Sequence, residues 1–114
     1  MQTHFRVEVR REFSAIVLSV SGELDLASSP ALEEELTRVG GGSSEMLILD
    51  LRELEFMDST GLSVVVKAHQ RAQEDGRRFG LVKGRPQVQR LLSLTGVAER
   101  MTLADSVQEL LASA

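Results

Sequence analysis

The chain has no cysteine, tryptophan or tyrosine, and only two prolines and two histidines in 114 residues. Without cysteine it forms neither disulfides nor thiolate metal sites. Four phenylalanines are its only aromatics, so the core must be largely aliphatic. No apolar run approaches the roughly 20 residues that span a bilayer as a helix. The opening Met1-Gln2-Thr3-His4-Phe5-Arg6 lacks the basic-then-apolar order of a secretory signal. Basic excess is missing as well: 13 Lys and Arg against 17 Asp and Glu leave a formal net charge of −4. Nucleic acid and anionic membrane surfaces attract basic patches, so neither is expected as a partner. The expectation is a cytoplasmic protein whose residues 1–114 are one domain. Its apolar fraction of 42% is enough for a single core.

Residues for self-contained catalysis are scarce too. Ser59 and His69 stand ten positions apart. On one helix that spacing separates them by about 15 Å of rise, whereas a nucleophile and its base need about 3 Å. His4 falls in the first residues, and His69 reads as a surface or boundary histidine. No second His or Cys stands at metal spacing, and the acidic residues follow no calcium-loop pattern. Gly40-Gly41-Gly42-Ser43-Ser44 is not a phosphate loop, since it follows a helix and no Gly-Lys-Ser/Thr comes after it. No metal, no cofactor and no enzymatic activity are expected.

What is present is a succession of strands and helices. Phe5, Val7 and Val9 alternate with Arg6, Glu8 and Arg10, the mark of a strand with one wet face. Ala15 to Ser21 forms a second run with Ile16, Leu18 and Val20 on one side, so an antiparallel pair is expected. Gly22-Glu23-Leu24-Asp25 ends it in an acidic corner. Ser29 as N-cap and Pro30 at the first helical position open a helix. Leu32, Leu36 and Val39 form its buried stripe, and Glu33, Glu34 and Glu35 form a solvated face near the positive end of the dipole. Met46 to Leu51 is nearly all apolar, as in a central strand covered on both faces. Phe79 to Val82 and Arg100 to Leu103 supply later strands. Pro86 opens a helix bearing Val88, Leu91, Leu92 and Thr95 on one face and ending at Gly96. Asp105 or Ser106 caps a final helix, with Glu109 as in a capping box and Val107, Leu110 and Leu111 facing inward. The expected fold is α/β, a mixed but mostly parallel sheet of four to five strands with about four helices.

The stretch Leu54 to Val66 is the most informative. A polar knot, Asp58-Ser59-Thr60-Gly61, separates Phe56-Met57 from an apolar run beginning at Leu62. Asp, Ser and Thr cap helix N-termini by accepting the first unpaired N–H groups. Leu62, Val65, Val66 and Ala72 recur at helical spacing, and Gly76 is a suitable terminator beyond Glu74. The knot therefore reads as a loop ending in a helix start, just past the C-terminal end of the 46–51 strand. Open α/β sheets meet ligands and partners at such ends. Two readings stand side by side here: a simple N-cap, or a hydroxyl presented for phosphorylation. Glu23 and Asp25 could lie beside the knot if their strand pairs in parallel. They either touch a partner or only close a turn.

Gly22-Glu23-Leu24-Asp25, then Phe56-Met57-Asp58-Ser59-Thr60-Gly61-Leu62, then Arg90-Leu91-Leu92 with Leu94-Thr95-Gly96-Val97, resemble the STAS domain, in particular that of bacterial anti-sigma factor antagonists. The resemblance runs in order along essentially the whole chain. It implies partner switching: the unphosphorylated form binds an anti-sigma factor that is also a serine kinase of the ATPase fold, and so frees a sigma factor. It further implies that the serine after the Asp, here Ser59, accepts phosphate, and that a serine phosphatase resets it. Thr60 offers a second hydroxyl. Glu23, Asp25, Asp58, Ser59, Thr60 and Gly61 are the expected partner-binding residues, on a monomer or weak dimer. The alternative is a STAS subunit that docks to an ABC-type lipid transport complex.

Overall fold

The structure, a computed structural model, describes residues 5–40 and 44–113. Two strands, β1 (Arg6–Glu12) and β2 (Ala15–Leu24), make the expected antiparallel hairpin, with Arg6 opposite Ser21 and Glu12 opposite Ala15. The remaining elements are α1 (Ser29–Gly40), β3 (Met46–Asp50), β4 (Leu54–Met57), α2 (Ser59–Glu74), β5 (Arg78–Val82), α3 (Pro86–Leu94), a 3-10 turn (Val97–Arg100), β6 (Thr102–Ala104) and α4 (Val107–Ala112). The sheet order is β1-β2-β3-β5-β6, and β4 pairs with the far end of β2. Every pairing except the β1–β2 hairpin is parallel.

Alternation along the strands divides the core between two faces. Ile16, Leu18, Val20, Leu47, Leu49, Phe79 and Leu81 point to one side. There they meet Leu32 and Leu36 of α1, Leu62, Val65, Ala68 and Ala72 of α2, and Val88 and Leu92 of α3. Ala15, Val17, Met46, Ile48 and Val82 point to the other side and are covered by Val107 and Leu110 of α4. Each fully buried Leu or Val contributes about 1.5–3 kcal/mol relative to exposure. All five residues of β3 are buried, as expected of a strand covered on both faces.

Several boundaries differ from the sequence reading, each for a local reason. β2 continues past Ser21 to Leu24, because β4 supplies it with a partner there. β4 is an additional strand of four residues, so the polar knot follows β4 and not the 46–51 strand. Ser29 lies inside α1, where its buried hydroxyl donates to the Asp25 carbonyl at 2.7 Å instead of capping. Thr95 is not on the buried face of α3. It is the exposed C-cap, and its hydroxyl donates to the Leu91 carbonyl at 2.8 Å. The 3-10 turn delays the last strand to Thr102. Ser106, not Asp105, caps α4: it accepts from Glu109 N–H at 3.2 Å, while Glu109 Oε2 accepts from Asp105 N–H at 2.8 Å. Val39, Val66, Leu91 and Leu111 are only partly buried. His69 is half-buried with its ring 5.3 Å from that of Phe79. His4 and the segment 41–43 lie outside the described residues.

Candidate functional site

Two devices bring β4 alongside the end of β2. The first is a clasp after β3. Asp50 is buried, and Arg52 turns back onto it. The Arg52 backbone N–H and Nε donate to Asp50 Oδ1 at 3.1 and 3.0 Å, and a terminal guanidinium nitrogen donates to Oδ2 at 2.7 Å. Burial alone would raise the Asp50 pKa. The side-chain and backbone hydrogen bonds from Arg52, with the charges of Arg52 and Arg10, outweigh it and hold the carboxyl below its ordinary value. The clasp ends the run of β3 and redirects the chain into β4. The second device is Gly22, whose φ of 90° is open to glycine and costly for other residues. The register shifts between Gly22, which faces Leu54, and Glu23, which faces Phe56, so a bulge bends β2 toward β4.

The polar knot then forms the start of α2. Asp58 has extended backbone angles, φ −101° and ψ −174°, and its Oδ1 accepts from Gly61 N–H at 2.9 Å. The Asp58 carbonyl accepts the first helical bond from Leu62 N–H at 2.9 Å. Asp58 is thus the N-cap, and Ser59 and Thr60 occupy the first two helical positions of a 16-residue helix. Their N–H groups precede that first helical bond and stand at the positive end of the dipole. Ser59 is exposed, and its hydroxyl has no hydrogen-bond partner among the described residues. Thr60 is half-buried.

Close packing fixes this helix start against β2. Asp58 N–H donates to the Leu24 carbonyl at 3.1 Å. Gly61 is buried, and a Cβ on it would lie 2.7 Å from both the Leu24 carbonyl oxygen and Leu24 Cγ. Only glycine lets the first turn of α2 approach the strand so closely. The rigidity of the Ser59 position follows from these contacts.

Beside it, the acidic corner is a hydrogen-bonded turn. Asp25 Oδ1 accepts from the N–H groups of Ala27 and Ser28 at 3.0 and 3.1 Å. The Ser28 hydroxyl accepts from Asp25 N–H at 2.9 Å and donates to the Glu23 carbonyl at 2.7 Å. Asp25 therefore closes the turn into α1, while Glu23 stands exposed opposite Phe56. Parallel pairing of β2 and β4 brings Glu23, Asp25, Asp58, Ser59, Thr60 and Gly61 to one end of the sheet. Glu23 and Ser59 are exposed, Asp25, Asp58 and Thr60 are half-buried, and Gly61 acts through packing.

Sequence reasoning missed two neighbours of this cluster. Leu26 is 74% exposed at the tip of the Asp25 turn, and Phe56 is 46% exposed on β4. The unusual step from Asp25 to an apolar residue in a turn was the available signal for Leu26. Among the described residues, no group of three or more His, Asp or Glu is placed to hold a metal ion, and no helix is long and apolar enough to cross a membrane. The cluster can present a hydroxyl, negative charge and two apolar side chains to a protein surface.

Comparison with known proteins agrees with this geometry. The STAS domain profile matches residues 4–110. An anti-sigma F factor antagonist of Paenibacillus polymyxa is 26% identical over 104 residues, covering 90% of this chain and 89% of the relative. The anti-sigma-F factor antagonist RsfB of Mycobacterium tuberculosis is 30% identical over 95 residues, covering 83% and 77%. The crystal structure of an anti-sigma factor antagonist from Mycobacterium paratuberculosis superposes with a TM-score of 0.88 at 30% identity, covering 96% and 93%. The anti-sigma factor antagonist SpoIIAA shares the fold in its unphosphorylated form, with a TM-score of 0.77, 23% identity and coverage of 95% and 93%. So does the phosphorylated form of Bacillus SpoIIAA, with a TM-score of 0.72, 21% identity and coverage of 96% and 98%. With its motif residues gathered at one end of a matching sheet, the chain belongs to the STAS domain family.

Proposed function

We propose that this chain is an anti-sigma factor antagonist that switches partners through Ser59. Unphosphorylated, it binds an anti-sigma factor and displaces a sigma factor; phosphorylated, it lets go. The observation that carries this reading is the exposed Ser59 hydroxyl on the first turn of α2, held by the Asp58 cap and the Gly61–Leu24 packing. The antagonists at 30% identity favour it over a docking subunit of a lipid transporter.

The chain contributes an acceptor and no catalytic group. The partner kinase supplies ATP, magnesium and a base. The Ser59 Oγ–phosphorus bond forms as the bond from the γ-phosphorus to the bridging oxygen of ADP breaks, and the serine proton passes to the kinase's base. A serine phosphatase hydrolyses the ester to reset the switch. The product carries about −1.5 to −2 charge. The helix N-terminus offsets that charge locally, so the fold is retained. At the partner surface the dianion adds to Asp58, Glu23 and Asp25. The repulsion that weakens binding is that between the dianion and acidic groups of the partner, and each such close pair costs about 1 kcal/mol in water and about 4 at an effective dielectric of 20. Since about 1.4 kcal/mol is a factor of ten in affinity, two or three such pairs dissociate the complex.

The test is incubation with the cognate anti-sigma kinase and ATP, followed by intact mass and fragmentation. One phosphate on Ser59 is the expected result. Phosphate found elsewhere, or taken up unchanged by Ser59→Ala, overturns the assignment.

A further inference from the structure

The end of the sheet opposite Ser59 carries a feature that the switch does not use. Ala15, Met46 and Arg78 are the first residues of the neighbouring parallel strands β2, β3 and β5, so they share the N-terminal end of the sheet. Ser59 follows the C-terminal end of β4, which runs parallel to them. At the N-terminal end the β1–β2 hairpin turns through Phe13 and Ser14. Two-residue hairpin turns call for positive φ, usually met by Gly, Asn or Asp. Here a phenylalanine takes that position with φ 56°, the only such non-glycine among the described residues. Its side chain is 87% exposed. Phe13 therefore combines a disfavoured backbone with an aromatic ring in water, and neither benefits the isolated fold.

Phe13 itself lines one side of a mostly apolar recess of about 440 Å³, whose other walls include Met46 and Leu111 and whose rim carries Glu45 and Arg78. Glu45 and Arg78 adjoin, since Arg78 N–H donates to the Glu45 carbonyl at 3.0 Å, yet their side chains form no ion pair. Among the described residues, the Arg78 guanidinium makes one hydrogen bond, to the Ser113 hydroxyl at 3.4 Å. One small surface thus holds an aromatic knob, an apolar hole and one charge of each sign, neither of them in an ion pair among the described residues. A surface of that kind is complementary to itself. Under a two-fold axis, residue i meets j while j meets i.

We infer that this end of the sheet is a self-association surface, with each Phe13 seated in the recess of a second copy and Glu45 of each copy facing Arg78 of the other. The occupant is a second copy because the knob, the hole and both charges belong to the same patch. The patch is far smaller than the roughly 20–30 residues per side of a stable interface, so the dimer is weak and concentration-dependent. Both Ser59 ends stay free, so dimerisation and partner binding coexist. The inference does not rest on the switch.

Sedimentation equilibrium of the full chain from about 10 to about 500 μM tests it. The weight-average mass is expected to rise from 12.5 kDa toward twice that value. Phe13→Gly is expected to weaken association about tenfold or more while raising the unfolding midpoint, because glycine takes positive φ without strain. Arg78→Glu alone and Glu45→Arg alone are expected to weaken it likewise, whereas an equimolar mixture of the two variants associates as wild type does, with both charge contacts restored across the axis. Ser59→Asp leaves association unchanged. A monomer at every concentration, as expected if a different molecule fills the recess, overturns the inference. So does undiminished association of Phe13→Gly, failure of the mixed variants to recover, or loss of association in Ser59→Asp.

Discussion

Asp58 N–H donates to the Leu24 carbonyl at 3.1 Å, joining the residue before Ser59 to the residue before Asp25. That single bond spans β4 and β2, and it makes the hydroxyl and the acidic corner parts of one surface. Gly61 packs on the same Leu24, so the position of Ser59 depends on the absence of a side chain two residues later.

Gly61→Ala is therefore expected to destabilise the protein although alanine favours helices. Its Cβ would lie 2.7 Å from the Leu24 carbonyl oxygen, which belongs to the backbone and cannot rotate away. Overpacking of this kind costs about 1–3 kcal/mol. Urea unfolding of the variant and wild type gives the difference directly, and partner affinity should fall with it.

Ser59→Ala is expected to accept no phosphate and to stay bound to the anti-sigma factor in the presence of ATP. Ser59→Asp should release it only in part, since it adds one charge where phosphate adds about −1.5 to −2. Co-elution of each variant with the partner, with and without ATP, is the readout.

Asp58→Ala removes the side chain that accepts from Gly61 N–H and should cost about 1 kcal/mol in unfolding free energy. Asp58→Asn keeps a capping oxygen and loses the charge. It is expected to unfold within about 0.5 kcal/mol of wild type. Its phosphorylated form should hold the partner more tightly than phosphorylated wild type, because the phosphorylated face then turns one negative charge fewer toward the partner's acidic groups. Unfolding curves and binding isotherms of the two variants separate the capping role from the electrostatic one.

The Asp50–Arg52 clasp gives a pH dependence with a definite sign. The folded pKa of Asp50 lies below the ordinary 3.8, so the folded state favours the carboxylate. The stabilisation is fully present above pH 3.8 and is lost as pH falls through the folded pKa. The drop in stability from pH 7 to pH 3 should therefore be larger in wild type than in Asp50→Asn. Arg52→Ala leaves the Asp50 carboxylate buried without its guanidinium and should cost about 2 kcal/mol at pH 7, a value reduced by the half-exposure of Arg52. Denaturant titrations at the two pH values check both expectations.

Much of this architecture is legible in the residues. Alternation in β1 and β2, the apolar run of β3, and the Asp-Ser-Thr-Gly knot each state their own structure, because their determinants are local. β4 is not legible in the same way. Its four residues have no periodicity to show, and they are a strand only because the Gly22 bulge and the Asp50–Arg52 clasp deliver them to β2. Ser29 misleads for a related reason: Asp25 and Ser28 complete the turn upstream, which leaves the Ser29 hydroxyl to bond backward. The acidic corner was open to two readings, and the hydrogen bonds of Asp25 reveal a turn while Glu23 stays exposed. Exposed Phe56 could not be read as surface, since an apolar residue near a core looks the same in sequence whichever way it points, whereas Leu26 carried a signal in its place after Asp25 in a turn.

The central claim is that negative charge on Ser59 detaches a bound protein. Its most direct test is calorimetric titration of the cognate anti-sigma factor with two preparations of this chain, one unmodified and one fully phosphorylated on Ser59. The phosphorylated preparation is expected to keep its fold by circular dichroism and to bind at least about tenfold more weakly, a loss of about 1.4 kcal/mol. Equal affinity in two equally folded preparations would contradict it.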